Sequence, residues 1–204
     1  MTKTETIWQI IINKALKEHV FKSTQKELAE KTGFSLSTVH AALQKPSDIG
    51  AIRQSTKFFV LEDVFKFLYF WGSNRGLKAD TISSLHVDMP VQQIEASMPP
   101  NVVFACYSAA KFHLSGNVPA DYAKVYIYIE DEKIIDIKKR FGEKVADSKR
   151  IEPNLFMLKR RDYMVFDNGI TTLSNTFVDI WNLPDWYAKD FIKALEEEIN
   201  GILS

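Results

Sequence analysis

The chain has 204 residues, with 46% hydrophobic and 25% charged side chains, which suits one or two folded domains and excludes a disordered or low-complexity segment. Its 26 basic and 26 acidic residues cancel, and a single cysteine, Cys106, excludes a disulfide framework. No apolar run approaches the ~18 residues of a membrane span and no leader pattern opens the chain, so a reducing cytoplasm is the expected compartment, with no membrane partner.

In chain order, residues 5–19 (ETIWQIIINKALKEH) place Ile7, Trp8, Ile11, Ile12, Ala15 and Leu16 on one stripe, predicting an amphipathic helix. Residues 24–44 (TQKELAEKTGFSLSTVHAALQ) then spell a helix-turn-helix. Thr24 and Glu27 have capping-box spacing, Leu28 and Ala29 face inward, Gly33 supplies the turn, Ser35 caps the next helix, and Val39 and Leu43 secure it. After Pro46, the apolar runs 49–52 and 58–61 flank a polar tip at 53–57, predicting a β-hairpin. A helix over 62–74 carrying Val64, Phe65, Leu68, Tyr69 and Trp71 completes a winged helix, residues 1–76.

Residues 73–82 (SNRGLKADTI) read as the connection to a second domain, 77–204, of mixed α and β character. Strands are expected over 102–107, 124–129, 154–159, 162–166 and 170–174, with a short helix at 108–114. Residues 131–141 fit either state, and a last helix starts near Asp185 with Tyr187, Phe191, Leu195, Ile199 and Ile202 as its buried stripe. The fold class is therefore α+β, a winged helix followed by a mixed domain. The first 75 residues carry 11 basic and 7 acidic side chains, so a basic first part is joined to an acidic remainder.

A helix-turn-helix predicts double-stranded DNA as partner, with the second helix of the pair in the major groove. Ser37, Thr38, Ala41 and Gln44 would face bases, with His40 beside them. Lys22, Lys26 and Lys45 would approach phosphates, as would the helix starts Thr24 and Ser35. Arg53, Gln54 and Lys57 of the hairpin tip would reach the backbone or a neighbouring minor groove. Whether such a protein is a monomer or a two-fold homodimer is left open by the sequence.

The competing expectation is a nucleic-acid-processing enzyme. A nucleotidyltransferase needs Gly-Ser before a helix and D-x-D on the next strand; here Tyr107-Ser108 lacks the glycine, and only Glu130 and Asp131 follow the strand. A nuclease metal site would have to use Asp121, Asp131 and Lys133, and residues 130–133 look like a polar turn. The rival reading is a metal site around Asp121, Glu130 and Asp131. His19, His40, His86 and His113 are too dispersed for a local metal cluster, and no phosphate-binding glycine motif is present. The expectation is no catalytic set, no metal and no cofactor. Lys159-Arg160-Arg161 reads as a solvated turn, and Trp181 and Trp186 as core or partner-facing aromatics.

Several segments together resemble the AbiEi-like family of antitoxin regulators. They are VLEDVFKFLYFWGSNR with a W-x-x-x-R exit at Trp71 and Arg75, YSAAKFHLSG with a Ser-Ala-Ala helix start at Ser108–Ala110, VYIYI, and IWNLPDWY. The resemblance spans roughly residues 20–195. It implies an amino-terminal domain that binds the operon's own promoter and a carboxy-terminal domain that counters a nucleotidyltransferase-type toxin, with no catalytic residues to carry over.

Overall fold

The computed structural model describes residues 1–145 and 151–204. Helix α1 (Lys3–Glu18) opens with a capping box between Thr2 and Glu5. Its expected apolar stripe is buried, but so is every residue from Glu5 to Ile12, including Glu5, Thr6 and Gln9. The reason is position: α1 is covered on one side by the first half of the chain and on the other by the second. Buried polar groups then need partners, and the Gln9 amide donates to the Val165 carbonyl at 2.8 Å and to Thr172 Oγ1 at 3.0 Å.

Helices α2 (Gln25–Thr32) and α3 (Leu36–Asp48) follow the short strand β1 (Lys22–Ser23). Strands β2 (Ile52–Gln54) and β3 (Phe59–Leu61) form the expected hairpin, and β1 adds to its other side, giving an antiparallel sheet in the order β1-β3-β2. The first strand starts three residues later than the apolar run suggested, because α3 continues through Pro46 to Asp48. Helix α4 (Val64–Asn74) is capped by the Asp63 side chain.

The segment read as a connection is not a linker. It contains the short helix α5 (Leu77–Asp80) and the start of strand β4 (Thr81–Leu85), and Arg75, Leu77 and Asp80 are buried. Helix α6 (Val91–Ala96), strand β5 (Val103–Ala105) and helix α7 (Cys106–His113) come next. Cys106, expected within a strand, is the buried first residue of α7 and turns the chain with a φ of 50°. Strand β6 (Val125–Ile129) is buried at all five positions, and residues 131–141 become a 3-10 turn and helix α8 (Ile134–Phe141).

Strand β7 (Leu155–Lys159) starts one residue into its expected span and ends with it. The strand expected over 162–166 is a turn that leads into the two-residue β8 (Phe166–Asp167). That expected over 170–174 is the short β9 (Ile170–Thr171), followed by helix α9 (Leu173–Trp181), whose cap is Thr172. The last helix, α10 (Ala188–Leu203), begins after Tyr187; Asp185 does not cap it, and its carboxylate instead accepts from Lys124 Nζ (2.6 Å) and the Tyr107 hydroxyl (2.9 Å).

The second sheet has the order β4-β7-β6-β5-β9-β8, with β6–β7 and β5–β9 parallel and the other pairs antiparallel. On one face, Val125, Ile127, Leu155 and Met157 pack with Ile94 of α6 and Ile137 and Phe141 of α8. On the other, Tyr126, Tyr128 and Leu158 join α7, α9 and α10 in an apolar cluster that continues into α1, α3 and α4. The fold is mixed α+β, and this cluster crosses residue 76 without a break.

At the centre of that crossing lies Arg75. Its Nη1 reaches Asp80 at 2.6 Å and Glu5 at 3.4 Å, its Nε reaches Asp179 at 3.1 Å, and its Nη2 donates to the Tyr128 hydroxyl at 2.7 Å. Asp179 also accepts from the Tyr128 hydroxyl (2.9 Å) and the Asn175 amide (2.6 Å), Trp71 Nε1 donates to Glu5 (3.3 Å), and the Met1 amine contacts Asp80. Burial raises the Asp179 carboxyl above its ordinary value. Burial also works to raise Asp80, but Arg75 and the amine hold its carboxyl below the usual range.

Two predictions follow from this core. Arg75→Met keeps the volume but leaves Asp179 buried without its cation, and the expected loss is about 3–5 kcal/mol in urea unfolding. Adding Asp179→Asn should restore part of it, and a loss below about 1 kcal/mol would refute the hub role. The second concerns His113, whose Nε2 donates to the Thr171 carbonyl at 2.8 Å and whose pKa is lowered by burial. A lowered pKa means that the unfolded state binds the proton first, so this contribution is present above about pH 6.5 and fades as the pH falls through the folded-state pKa. The unfolding midpoint should therefore drop from pH 7.5 to 5.5 by more in the parent chain than in His113→Gln.

Candidate nucleic-acid interface

The two helices of the pair are fixed by their ends. The Thr24 hydroxyl accepts from Glu27 N at 3.1 Å, while the Glu27 carboxylate accepts from Thr24 N at 2.7 Å. The same backbone bond holds the Glu27 carboxyl below its usual range. Gly33 ends α2 at a φ of 69°, a conformation open to glycine without a Cβ penalty. Ser35 then caps α3, its hydroxyl accepting from Thr38 N at 3.2 Å and lying 2.9 Å from the hydroxyls of both Ser37 and Thr38.

What aims α3 is a defect in its own ladder. Pro46 has no N–H, so the Ala42 carbonyl loses its intrahelical donor. Trp8 Nε1 of α1 donates to that carbonyl at 2.7 Å. The indole is held edge-on by Phe67 and Phe70 of α4, at ring separations of 6.1 and 5.2 Å. With Val39, Ala42, Leu43 and Pro46 buried beneath, the rotation of α3 about its axis is fixed.

The opposite face of α3 is open. Ser35, Ser37, His40, Ala41, Gln44 and Lys45 are exposed and Thr38 is half-buried. Gln44 Nε2 lies 3.0 Å from His40 Nε2, so these two side chains form one polar ridge. Sequence reasoning missed Leu36, which is 56% exposed on the first turn. Its i, i+3, i+7 spacing with Val39 and Leu43 places it on the buried stripe, so the sequence carried no signal of its exposure.

The basic residues are less uniformly placed than expected. Lys26 is exposed, 3.8 Å from Glu30. Lys22 belongs to the small sheet rather than to the start of α2, its ammonium 3.9 Å from the centre of the Phe58 ring. The hairpin tip spans 55–58, closed by a 2.8 Å bond from Ser55 N to the Phe58 carbonyl, and Lys57 is exposed on it. Arg53 is not at the tip: it sits in β2 and pairs with Glu62 at 2.6 Å. Gln54 is half-buried, with its amide 3.4 Å from the Leu43 carbonyl.

The residues of the rival metal site do not meet. Asp121 is exposed in the loop before β6, while Glu130 pairs with Arg160 and Asp131 with Lys159 across the ends of β6 and β7. Among the described residues, no group of three His, Cys, Asp or Glu side chains is placed to hold a metal ion. Two of the three bases at 159–161 are therefore engaged by these acids. Trp181 and Trp186 are 44% and 75% exposed. Among the described residues no helix is long and apolar enough to cross a membrane.

No protein-family model, curated protein or solved structure matches the chain. The likeness to AbiEi-like regulators thus rests on the residues quoted for it alone.

The Trp8 bond gives a direct test of what orients α3. Trp8→Phe keeps an aromatic ring but leaves the buried Ala42 carbonyl without a donor, and the expected cost is about 1–3 kcal/mol. Amide exchange along α3 should accelerate in the same variant; unchanged exchange would show that Trp8 does not set this helix.

Proposed function

We propose that the chain is a DNA-binding transcriptional regulator in which α2 and α3 act as a helix-turn-helix and β2–β3 as the wing of a winged helix. The observation that carries the proposal is the division of α3 into two faces. One is locked on α1 through Val39, Ala42, Leu43 and the Trp8 bond; the other is exposed and bears hydroxyl, imidazole and amide groups. An α-helix fits the major groove, about 12 Å wide, where each base pair presents a distinct donor and acceptor pattern. Gln44 suits adenine, and Leu36 suits a thymine methyl group. Lys26, Lys45 and Lys57, all exposed, supply phosphate contacts.

A narrower form of the same proposal is an antitoxin that represses its own promoter, with the second half countering a nucleotidyltransferase-type toxin. It rests on the AbiEi-like resemblance. Operator DNA with two half-sites about one helical turn apart would go with a homodimer.

Binding to duplexes from the chain's own upstream region and to random duplex, followed by fluorescence anisotropy across a salt series, tests the proposal. Lys45→Ala and Lys57→Ala should each weaken both duplexes and reduce the slope of log K against log salt by about 0.9. Gln44→Ala should leave the slope alone and cost about 1–3 kcal/mol on the preferred sequence only. Equal affinity of parent and all three variants for both duplexes would overturn it.

A further inference from the structure

The helical layer on the Tyr126 face of the second sheet stops short of one end. Helices α7, α9 and α10 cover β6 and reach Leu158 of β7, but at the other end of β7, around Phe156 and Ser84 of β4, the face lines an open cleft. The resulting cleft of about 590 Å³ lies within the size range of small-molecule sites. Its floor is the ring pair Tyr126–Phe156, nearly parallel at 12° with centres 4.6 Å apart. One wall is Leu77 and Lys78 of α5, and the other is the α9–α10 loop with Leu183 and Pro184.

Three polar side chains line this cleft. Tyr126 lines the cleft while only 5% exposed, and its hydroxyl makes no hydrogen bond among the described residues, so it is free to donate to a ligand. Lys124 enters from the same side; one of its three N–H groups serves Asp185 at 2.6 Å, leaving donors for another acceptor. Lys78 stands exposed on the facing wall. Against these donors the cleft sets, among the described residues, one carboxylate, Glu152, whose side chain is 89% exposed and 3.9 Å from Lys124.

We propose that this cleft binds a small planar aromatic carboxylate. The ring lies against Phe156 between Leu77 and Leu183, and the carboxylate accepts from the Tyr126 hydroxyl and from Lys124 and Lys78. A single anionic group suits three donors that line one cleft, and because Tyr126 and Phe156 stack on one another, the flat ring of the ligand packs on the outer face of Phe156. An uncharged ring would leave the lysines unanswered, and an aliphatic acid would leave the ring face. The proposal stands independently of whether α3 binds DNA.

The probe is naphthalene-1-carboxylate, titrated into the full chain and followed by calorimetry and saturation-transfer NMR. Naphthalene-1-methanol (no charge) and cyclohexanecarboxylate (no flat ring) serve as controls. The carboxylate should bind at millimolar concentration or below, with each control at least tenfold weaker. Tyr126→Phe removes only the hydroxyl and should weaken binding about tenfold, as loss of a hydrogen bond to a charged group does. Lys78→Gln, an exposed change that leaves the core intact, should weaken it about threefold. Undetectable binding, equal affinity for the neutral alcohol, or unchanged affinity in both variants would overturn the proposal; near-ultraviolet circular dichroism verifies that the variants are folded.

Discussion

Burying a guanidinium is costly unless its charge is paired and its donors meet acceptors, and the core of this chain is organised around doing so for Arg75. The acceptors come from α1 (Glu5), α5 (Asp80), β6 (Tyr128) and α9 (Asp179), with Asn175 and Trp71 bonded to the same carboxylates. No two of those four acceptors belong to the same element. Each element can therefore sit in one position only if the others do, because a displaced carboxylate at Asp179, 0% exposed, would be stranded without water. Apolar packing brings these elements together; the ion network decides how they are registered.

This registration reaches the exposed face of α3 through α1. The first turns of α1 hold Glu5 on Arg75, and one turn further on Trp8 holds the Ala42 carbonyl of α3. The same helix donates from Gln9 to the second half of the chain. Three consecutive polar contacts on one helix thus tie the open face of α3 to the sheet domain. A rigid connection of this kind is what a change in the second half would need in order to alter how α3 is presented, since coupling travels through packed elements with defined arrangements.

How much of this was legible varies with the range of the interaction that fixes each element. The helix pair and hairpin are specified locally, by the Thr24–Glu27 box, the Ser35 cap and the turn at Gly33, so their outlines followed from spacing. The exposed polar residues of α3 were legible for the same reason, as the complement of its apolar stripe. Arg53 was misplaced because the tip is two residues further on, where Ser55 and Phe58 close the turn. Long-range burial erased the signals elsewhere. Arg75, Lys78 and Asp80 read as a solvated linker, yet two of these charges are paired inside the molecule. Residues 173–180 are buried on every side, so no 3.6-residue polar face marked α9, and the strand expected over 170–174 drew on Ile170, Thr171 and Thr172, which precede the helix. Cleft residues such as Tyr126 and Phe156 lie in separate strands, and only the parallel register of β6 and β7 makes them neighbours.

Gly72 illustrates how the two halves constrain each other at the level of a single atom. Glycine within a helix costs about 0.5–1 kcal/mol relative to alanine. Gly72 nevertheless lies inside α4, which ends at Asn74 as expected, and a Cβ at position 72 would lie 2.7 Å from Cδ1 of Trp181 in α9. The missing side chain is what lets α4 and α9 approach. The approach is sealed by Asn182, whose amide donates to the Gly72 carbonyl at 3.0 Å, and by the edge of Trp181 against Tyr69 at 5.0 Å. Close contact here sets the distance over which Arg75, three residues on, must reach Asp179. The lost helix propensity at Gly72 and the buried ion network are therefore one device: the first brings the backbone near enough for the second to close.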